Sequence, residues 1–275
     1  MAIKEFLFDA ETKATTNPVT IQKISEEEKS RPCPGKPTSA NPRPDTIERY
    51  ESAKAEWRAG LSSRIQKKID DTAKNPLLAE PICMSAICDQ EKVSWSAMHG
   101  DTEKEMLINI SEFITDNCDE ETEFSGFCIT IFDLPLLVTR CRLHRVSLPG
   151  FFPQYHRYWH GNVIDIKDLI PSKTPFLSFD DAATLHGLDG KSLMYNGSSM
   201  HGGRVQDAFR AGEFDFIVSY CDSDALNEWE LLKMCKPIGN KSSQTIMEQA
   251  REILGSNLSD SQKVITINNI LFRIG

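Results

Sequence analysis

The residues best suited to chemistry are carboxylates that stand beside apolar segments. Asp9 and Glu11 lie two positions apart, directly after the apolar run Ile3–Phe8. If this run is a β-strand, the alternation of its side chains places both carboxylates on one face. Carboxylate oxygens are the ligands that Mg²⁺ and Mn²⁺ prefer, and phosphoryl-transfer sites combine them with phosphate oxygens of the substrate. The pair therefore fits a metal platform, although acidic pairs are also common on ordinary surfaces.

Three further residues could belong to the same site. Asp133 follows the apolar segment Phe124–Ile131 and opens a predicted helix, where it could equally act as the N-cap. Tyr220 and Asp224 lie four residues apart in a segment with helical periodicity, so they share one helix face. Taken singly, Tyr220 could pack at the edge of the core and Asp224 could face solvent. The order of the five residues along the chain is more informative than any one of them.

That order resembles the three exonuclease motifs of the DEDD superfamily. The motifs are Asp9-x-Glu11, Asp133 within Phe-Asp-Leu-Pro, and Tyr220-x-x-x-Asp224, whose tyrosine marks the DEDDy branch. The sequence most resembles the predicted 3′–5′ exonucleases related to the proofreading domain of family-B DNA polymerases, a group found in bacteria and their phages. The resemblance spans residues 3–232, apart from most of 12–75. It implies an RNase H-like fold and hydrolysis of nucleic acid from the 3′ end.

One departure from the family pattern and one branch marker qualify the resemblance. Family members commonly carry an Asn-Gly pair shortly before the second-motif Asp, where this chain has Cys128 and Ile129. The substrate contacts at that place are therefore in question. Ser219 stands where the other branch of the superfamily has its histidine, which leaves Tyr220 as the third-motif residue.

The resemblance also implies a cofactor, namely two divalent metal ions, Mg²⁺ or Mn²⁺. Asp9, Glu11 and Asp224 would hold one ion. Asp9 would bridge to the second, which Asp133 would support directly or through water. Tyr220 would position the attacking water or help to deprotonate it. Such a pair of ions serves an in-line displacement at phosphorus.

The expected substrate is nucleic acid, and single-stranded DNA is the favoured form. Four basic residues could track its backbone, although each could instead lie on a solvated helix face: Arg140, Lys191, Arg204 and Arg210. Three side chains could stack on terminal bases, with core packing favoured for the last: Met194, Tyr195 and Phe152. An exoribonuclease of the same fold remains open, because no motif identifies a contact to the 2′-OH. A catalytically silent adaptor that binds nucleic acid or protein remains a further alternative.

The composition of the chain limits the classes of protein to which it could belong. The chain has 275 residues, a formal charge of −9 and eight cysteines. The charge argues against coating nucleic acid by bulk electrostatics, and it is compatible with an enzyme that meets phosphate through bound metal. The cysteine content fits a reducing cytoplasm, and no window is apolar enough to cross a membrane. Neither Cys83 with Cys88 nor His156 with His160 has the spacing and context of a strong zinc motif.

The elements that must position these residues follow from the apolar pattern. The predicted order of elements is strand, hairpin, helix, strand, helix, strand and further helices. This order predicts a mixed α/β sheet with helices on both faces. We expect an exonuclease domain over residues 1–236, with a helical insertion at 12–78, and a helical tail over 237–275. Within the insertion, a helix is predicted from Asp45, as N-cap, to Asp71, with an apolar stripe packed on the domain. The insertion or the tail could also bind a protein partner or a second copy.

Overall fold

Five strands form the central sheet of the computed structural model, which describes residues 4–39, 41–89, 91–97, 102–154, 162–170, 177–188 and 193–236. They are β1 (Glu5–Lys13), β2 (Glu80–Cys88), β3 (Glu91–Ser96), β4 (Glu123–Gly126) and β5 (Val163–Asp165). Their spatial order is β3-β2-β1-β4-β5. The pairs β1–β2 and β2–β3 are antiparallel, whereas β1–β4 and β4–β5 are parallel. This confirms the predicted mixed sheet of RNase H-like type.

Strand β1 is the centre of the sheet and carries the first pair of carboxylates within the strand itself. It extends five residues past the apolar run, because Ala10, Glu11 and Thr12 are buried as well. Asp9 lies opposite Ser85 and Glu11 opposite Cys83 on β2, and the register of the pair shifts just after Glu11. Both carboxylates therefore belong to one face of β1, as the strand pattern predicted.

Helices cover both faces of the sheet. On one face, α4 (Glu103–Asn117) and α5 (Asp133–His144) pack on apolar side chains of β1, β2 and β4. The other face is covered by α6 (Ile166–Leu169), α7 (Phe179–Leu185), α8 (Gly202–Ala211) and α9 (Phe214–Cys235). A two-stranded ribbon, β6 (Met194–Tyr195) with β7 (Ser198–Ser199), precedes α8. Among the described helices, none combines the length and apolar character needed to cross a membrane.

The insertion between β1 and β2 consists of α1 (Pro18–Ser30), α2 (Pro44–Ala59), α3 (Leu61–Asp70) and a 3₁₀ turn (Asp71–Lys74). The prediction of one helix from Asp45 was wrong. The helix begins at Pro44, whose ring fixes a helical φ, so Asp45 lies in the first turn and Arg43 is the N-cap. Gly60 then separates α2 from α3.

The apolar stripe of the insertion has a different environment from the one expected. Trp57, Leu61 and Ile65 are only half-buried, and none of them belongs to the hydrophobic clusters of the described domain. The Arg64 guanidinium instead lies 3.4 Å from the centre of the Trp57 ring and pairs with Glu28 of α1 at 3.5 Å. This stripe therefore helps to hold the insertion helices to one another.

Several other predictions can be compared with the described residues. The strand predicted over Phe124–Ile131 is shorter, because β4 ends at Gly126 and the chain then turns. Phe152 is 2% exposed and packs in the core, as favoured above. Lys191, the histidines at 156 and 160, and the tail 237–275 lie outside the described residues.

Candidate metal centre and active site

Three carboxylates from two elements meet at the centre of β1. Asp9 and Glu11 come from the strand, and Asp224 comes from α9, which crosses the same face of the sheet. One ligand oxygen of each lies within 4.8 Å of the others. Glu11 and Asp224 are buried, at 8% and 5% exposure, whereas Asp9 is half-buried. Hard divalent cations prefer such a set of oxygen ligands, so the residues present fit the expected metal.

Helix α9 presents its functional side chains at every fourth residue. Tyr220 is 1% exposed, and its hydroxyl donates a hydrogen bond to Asp224, one turn later. The Cys221 thiol lies 3.5 Å from the Asp9 carbonyl oxygen and 3.7 Å from its carboxylate Oδ2. Burial, together with the negative charges of Glu11 and Asp224, raises the pKa of Tyr220. In the absence of metal, Tyr220 is therefore a neutral hydrogen-bond donor.

A polar anchor holds α9 against the edge of the sheet. Asp222 accepts hydrogen bonds from Ser85 of β2 at 2.6 Å and from Ser94 of β3 at 2.5 Å, and it pairs with Lys92. Although partial burial opposes it, the donors Lys92 and Ser85 hold the pKa of Asp222 below its ordinary value. Asp222 points away from the face that carries Tyr220 and Asp224, because residues two apart on a helix face different directions. The contacts of Asp222 help to fix the position of α9 over β1.

Asp133 is the first residue of α5 and does not cap that helix. The N-cap position belongs to Phe132, which makes no side-chain cap bond. The Asp133 carboxylate, 4% exposed, instead accepts a hydrogen bond from the Ala10 backbone N–H. Its Oδ1 has no hydrogen-bond partner among the described residues. Burial and the neighbouring Asp9 raise the pKa of Asp133, which is the electrostatic situation that a bound cation relieves.

Asp165 organises the turn that leads to Asp133. Its carboxylate accepts the backbone N–H of Cys128 at 2.9 Å and the Thr130 hydroxyl at 2.7 Å. Cys128 has a φ of 62°, in the left-handed region that glycine and asparagine adopt more readily than cysteine. The departure from Asn-Gly noted above therefore falls on a backbone position with a special conformation, which Asp165 helps to stabilise.

Glu228 is a further buried carboxyl at the site, and the sequence motifs do not include it. It lies on α9 one turn after Asp224, is 4% exposed, and accepts the Phe127 backbone N–H at 2.9 Å. Burial, followed by the charges of Asp9 and Asp133, raises the pKa of Glu228. Its signal in the sequence was the continued four-residue spacing from Tyr220 through Asp224.

The basic residues predicted to track a nucleic-acid backbone have different environments. Arg140 is partly buried and makes a two-point ion pair with Glu103 of α4, including a 2.6 Å bond from Nη2, which joins the two helices. Arg204 donates to the Tyr195 carbonyl oxygen at 2.7 Å. Arg210 pairs with Asp70 of the insertion at 2.5 Å.

A cavity of about 430 Å³ opens beside Glu11. Its walls come from β1, from the end of the insertion at Asp70 and Asp71, and from α8, including Arg210. Gly202 and Gly203 also line it. They are the first two residues of α8. The insertion thus contributes directly to the surroundings of the metal centre.

The fold and the carboxylate cluster define an RNase H-like protein with a candidate metal centre. Residues 77–267 match the family described as predicted 3′-5′ exonucleases related to the exonuclease domain of PolB. Because the match covers more than half of the chain, the protein belongs to this family. The matched segment includes Asp133, Tyr220 and Asp224. Asp9 and Glu11 precede it, and the tertiary structure brings them to the same place.

A solved structure provides an independent view of the fold. The chain is similar to the family B DNA polymerase from the hyperthermophilic archaeon Pyrobaculum calidifontis, with a TM-score of 0.50 and 11% sequence identity. The similarity covers 86% of this chain and 25% of the polymerase chain. At this identity it supports the fold alone. No curated protein matches the sequence.

Proposed function

We propose that the protein is a metal-dependent 3′–5′ exonuclease that hydrolyses phosphodiester bonds at the 3′ end of single-stranded DNA. The observation that carries the proposal is the meeting of Asp9, Glu11 and Asp224 within 4.8 Å, in a chain that belongs to a family of predicted exonucleases. Two supporting observations are the Tyr220 hydrogen bond to Asp224 and the burial of Asp133 next to Asp9. Carboxylate oxygens that can hold divalent cations are what metal-assisted phosphoryl transfer requires.

Each residue has a role in this proposal. Asp9, Glu11 and Asp224 would hold one divalent cation, and Asp9 and Asp133 would support the second. Tyr220 orients the attacking water through its hydroxyl, whose hydrogen bond to Asp224 keeps the ring in place. Two bound cations, Mg²⁺ or Mn²⁺, would lower the pKa of the attacking water and stabilise the leaving 3′ oxygen.

The cavity beside Glu11 is the proposed place for the end of the strand. It adjoins one metal ligand and is bounded by α8 on one side and by the insertion on the other. An unpaired strand end can enter a half-open cavity of this size more easily than two paired strands can. RNA is the second candidate substrate, since the described residues do not identify a group that selects against the 2′-OH.

The proposed domain division is an exonuclease domain over residues 1–236, with the insertion 12–78, and a tail over 237–275. The contacts between insertion and domain favour treating the two as one folding unit. The Ala14 backbone N–H donates to Gln206 of α8 at 2.7 Å, and Asp70 of the insertion pairs with Arg210 of α8 at 2.5 Å. The tail remains a candidate surface for a protein partner or a second copy.

The test is a gel assay with 5′-labelled single-stranded DNA and its RNA counterpart, in Mg²⁺, Mn²⁺ or EDTA. We expect a ladder that shortens from the 3′ end of DNA, needs the metal, and is slowed about 100-fold or more by Asp9→Ala, since metal stabilisation is worth several kcal/mol. Asp168→Ala, which changes an exposed aspartate on α6, is the matched control and should cleave like the wild type.

Three outcomes would contradict the proposal in different ways. Faster cleavage of RNA would change the substrate. Binding of the strand without cleavage would favour the silent adaptor. Cleavage by Asp9→Ala at the wild-type rate would place the active centre elsewhere.

A further inference from the structure

Glu228 makes a contact that joins two parts of the metal centre. Its Oε2 accepts the backbone N–H of Phe127 at 2.9 Å. Phe127 directly follows β4, at the start of the segment that leads to Asp133. Glu228 itself belongs to α9, the helix that carries Tyr220 and Asp224. The bond therefore connects the segment that leads to Asp133 to the helix that supplies Asp224.

The hydrogen bond alone does not explain why a carboxyl group occupies this position. A neutral glutamine could accept the same backbone N–H, without placing another negative charge in a buried environment. The strongest electrostatic influences on Glu228 after burial are Asp9 and Asp133, both acidic. Like charges at such a place repel each other unless cations are bound among them. The charge of Glu228 thus becomes favourable only when the centre holds metal.

We propose that Glu228 is a positioning residue of the metal centre, which fixes the Asp133 segment relative to α9 and adds a negative charge that strengthens binding of divalent cations. This inference rests on the proposed function, since it assumes that Asp9, Asp133 and Asp224 are the metal ligands. Groups that orient or support metal ligands typically change metal affinity by about 10- to 100-fold when they are mutated.

The test compares three variants of the full chain. Glu228→Gln retains the hydrogen-bond acceptor and removes the charge, whereas Glu228→Ala removes both. Glu230→Gln is the matched control, because Glu230 lies two residues away on α9, is half exposed and pairs with Lys233 at 2.6 Å. Two quantities are measured: the affinity for Mn²⁺ by titration calorimetry, and the Mg²⁺ concentration that gives half of the maximal cleavage rate.

We expect Glu228→Gln to weaken Mn²⁺ binding by about 10-fold or more and to raise the half-saturating Mg²⁺ concentration by a similar factor. Its melting temperature without metal should be equal to or higher than that of the wild type, since a buried charge has been removed. Glu228→Ala should in addition lower the maximal rate, because the Asp133 segment loses its bond to α9. Glu230→Gln should match the wild type in both quantities.

The inference fails if Glu228→Gln binds Mn²⁺ as tightly as the wild type does. Should Glu228→Ala not fold, the nearly isosteric Glu228→Gln still decides the question. Wild-type cleavage, measured first, separates this failure from failure of the proposed function. A wild type that binds Mn²⁺ and cleaves nothing contradicts the proposed function, while calorimetry still tests the role of Glu228.

Discussion

At the residue scale, the pKa of a carboxyl group shifts in opposite directions in different surroundings. Glu105 is exposed at the start of α4 and accepts the Thr102 backbone N–H in a capping box, which lowers the pKa of Glu105. Asp133 and Glu228 also accept backbone N–H bonds, yet burial and acidic neighbours raise the pKa of both. In the metal-free protein, ionising either of the two buried groups therefore carries an electrostatic cost.

This cost predicts how stability depends on pH when metal is removed. The folded-state pKa of Asp133 lies above its ordinary value of 3.8, so the unfolded chain releases the proton first. Its contribution to stability is present below pH 3.8 and is lost as the pH rises through the raised pKa. Asp133→Asn, which stays neutral, should be about 1–3 kcal/mol more stable than the wild type at pH 8 in EDTA.

Urea denaturation at pH 5 and pH 8, with and without Mn²⁺, measures this difference. Asp168→Asn, an exposed change, should follow the wild type at every pH. Asp133→Asn should also lose nuclease activity despite its greater stability. If the variant and the wild type lose stability in parallel between pH 5 and pH 8, Asp133 is not the source of the pH dependence.

At the element scale, the distance between β1 and β4 decides where the second carboxylate segment leaves the sheet. Gly126 is the last residue of β4, and a Cβ atom there would lie 2.8 Å from the Phe8 carbonyl oxygen and 3.2 Å from Ile129 Cβ. A side chain cannot be accommodated without moving backbone. This glycine thus allows the close approach that places Phe127 within reach of Glu228.

Gly126→Ala should therefore destabilise the protein by about 1–3 kcal/mol, the usual effect of overpacking. Activity should fall as well, because the shift is transmitted to the segment that carries Asp133. Gly150→Ala is the control, since a Cβ at Gly150 meets no atom within 4 Å. Unfolding in urea and the rate of strand cleavage measure both effects. Equal stability of the two variants would show that the sheet absorbs the added methyl group.

At the scale of the whole molecule, the chain carries a formal charge of −9, and residues of the insertion line the cavity beside Glu11. Arg210 of α8 and Asp70 of α3 form an ion pair at 2.5 Å across the cavity beside Glu11. Both side chains are partly exposed, at 45% and 32%. An exposed pair contributes little to global stability, so its main effect should be on the geometry of the cavity wall.

Arg210→Asp should raise KM for single-stranded DNA by about 1.4- to 5-fold, which corresponds to the ~0.2–1 kcal/mol of an exposed ion pair. The reverse change Asp70→Arg, added to it, should restore much of the loss. Steady-state kinetics on labelled oligonucleotides measure KM and kcat separately. Lys233→Ala, which removes a similar exposed pair with Glu230, is the control. A double variant no better than Arg210→Asp would mean that Arg210 acts by its charge alone and not through Asp70.

The order of the elements could be predicted from the sequence because it depends on local patterns. Apolar runs gave the strands, four-residue spacing gave α4 and α9, and the alternation of β1 put Asp9 and Glu11 on one face. The resemblance to an exonuclease family rested on the same local motifs, and the family match confirms it. The proposed catalytic and metal roles of the five motif residues await the experiments above.

The tertiary structure alone decided what surrounds each of these residues. Whether an acidic residue such as Glu228 or Asp165 is buried depends on partners far away along the chain, at Phe127 and Cys128 respectively. The environment of the Arg140 side chain depends in the same way on its ion pair with Glu103 of another helix. Sequence spacing reports which side chains share a face, whereas burial, charge pairing and pKa depend on which faces meet, and only the packed chain determines that.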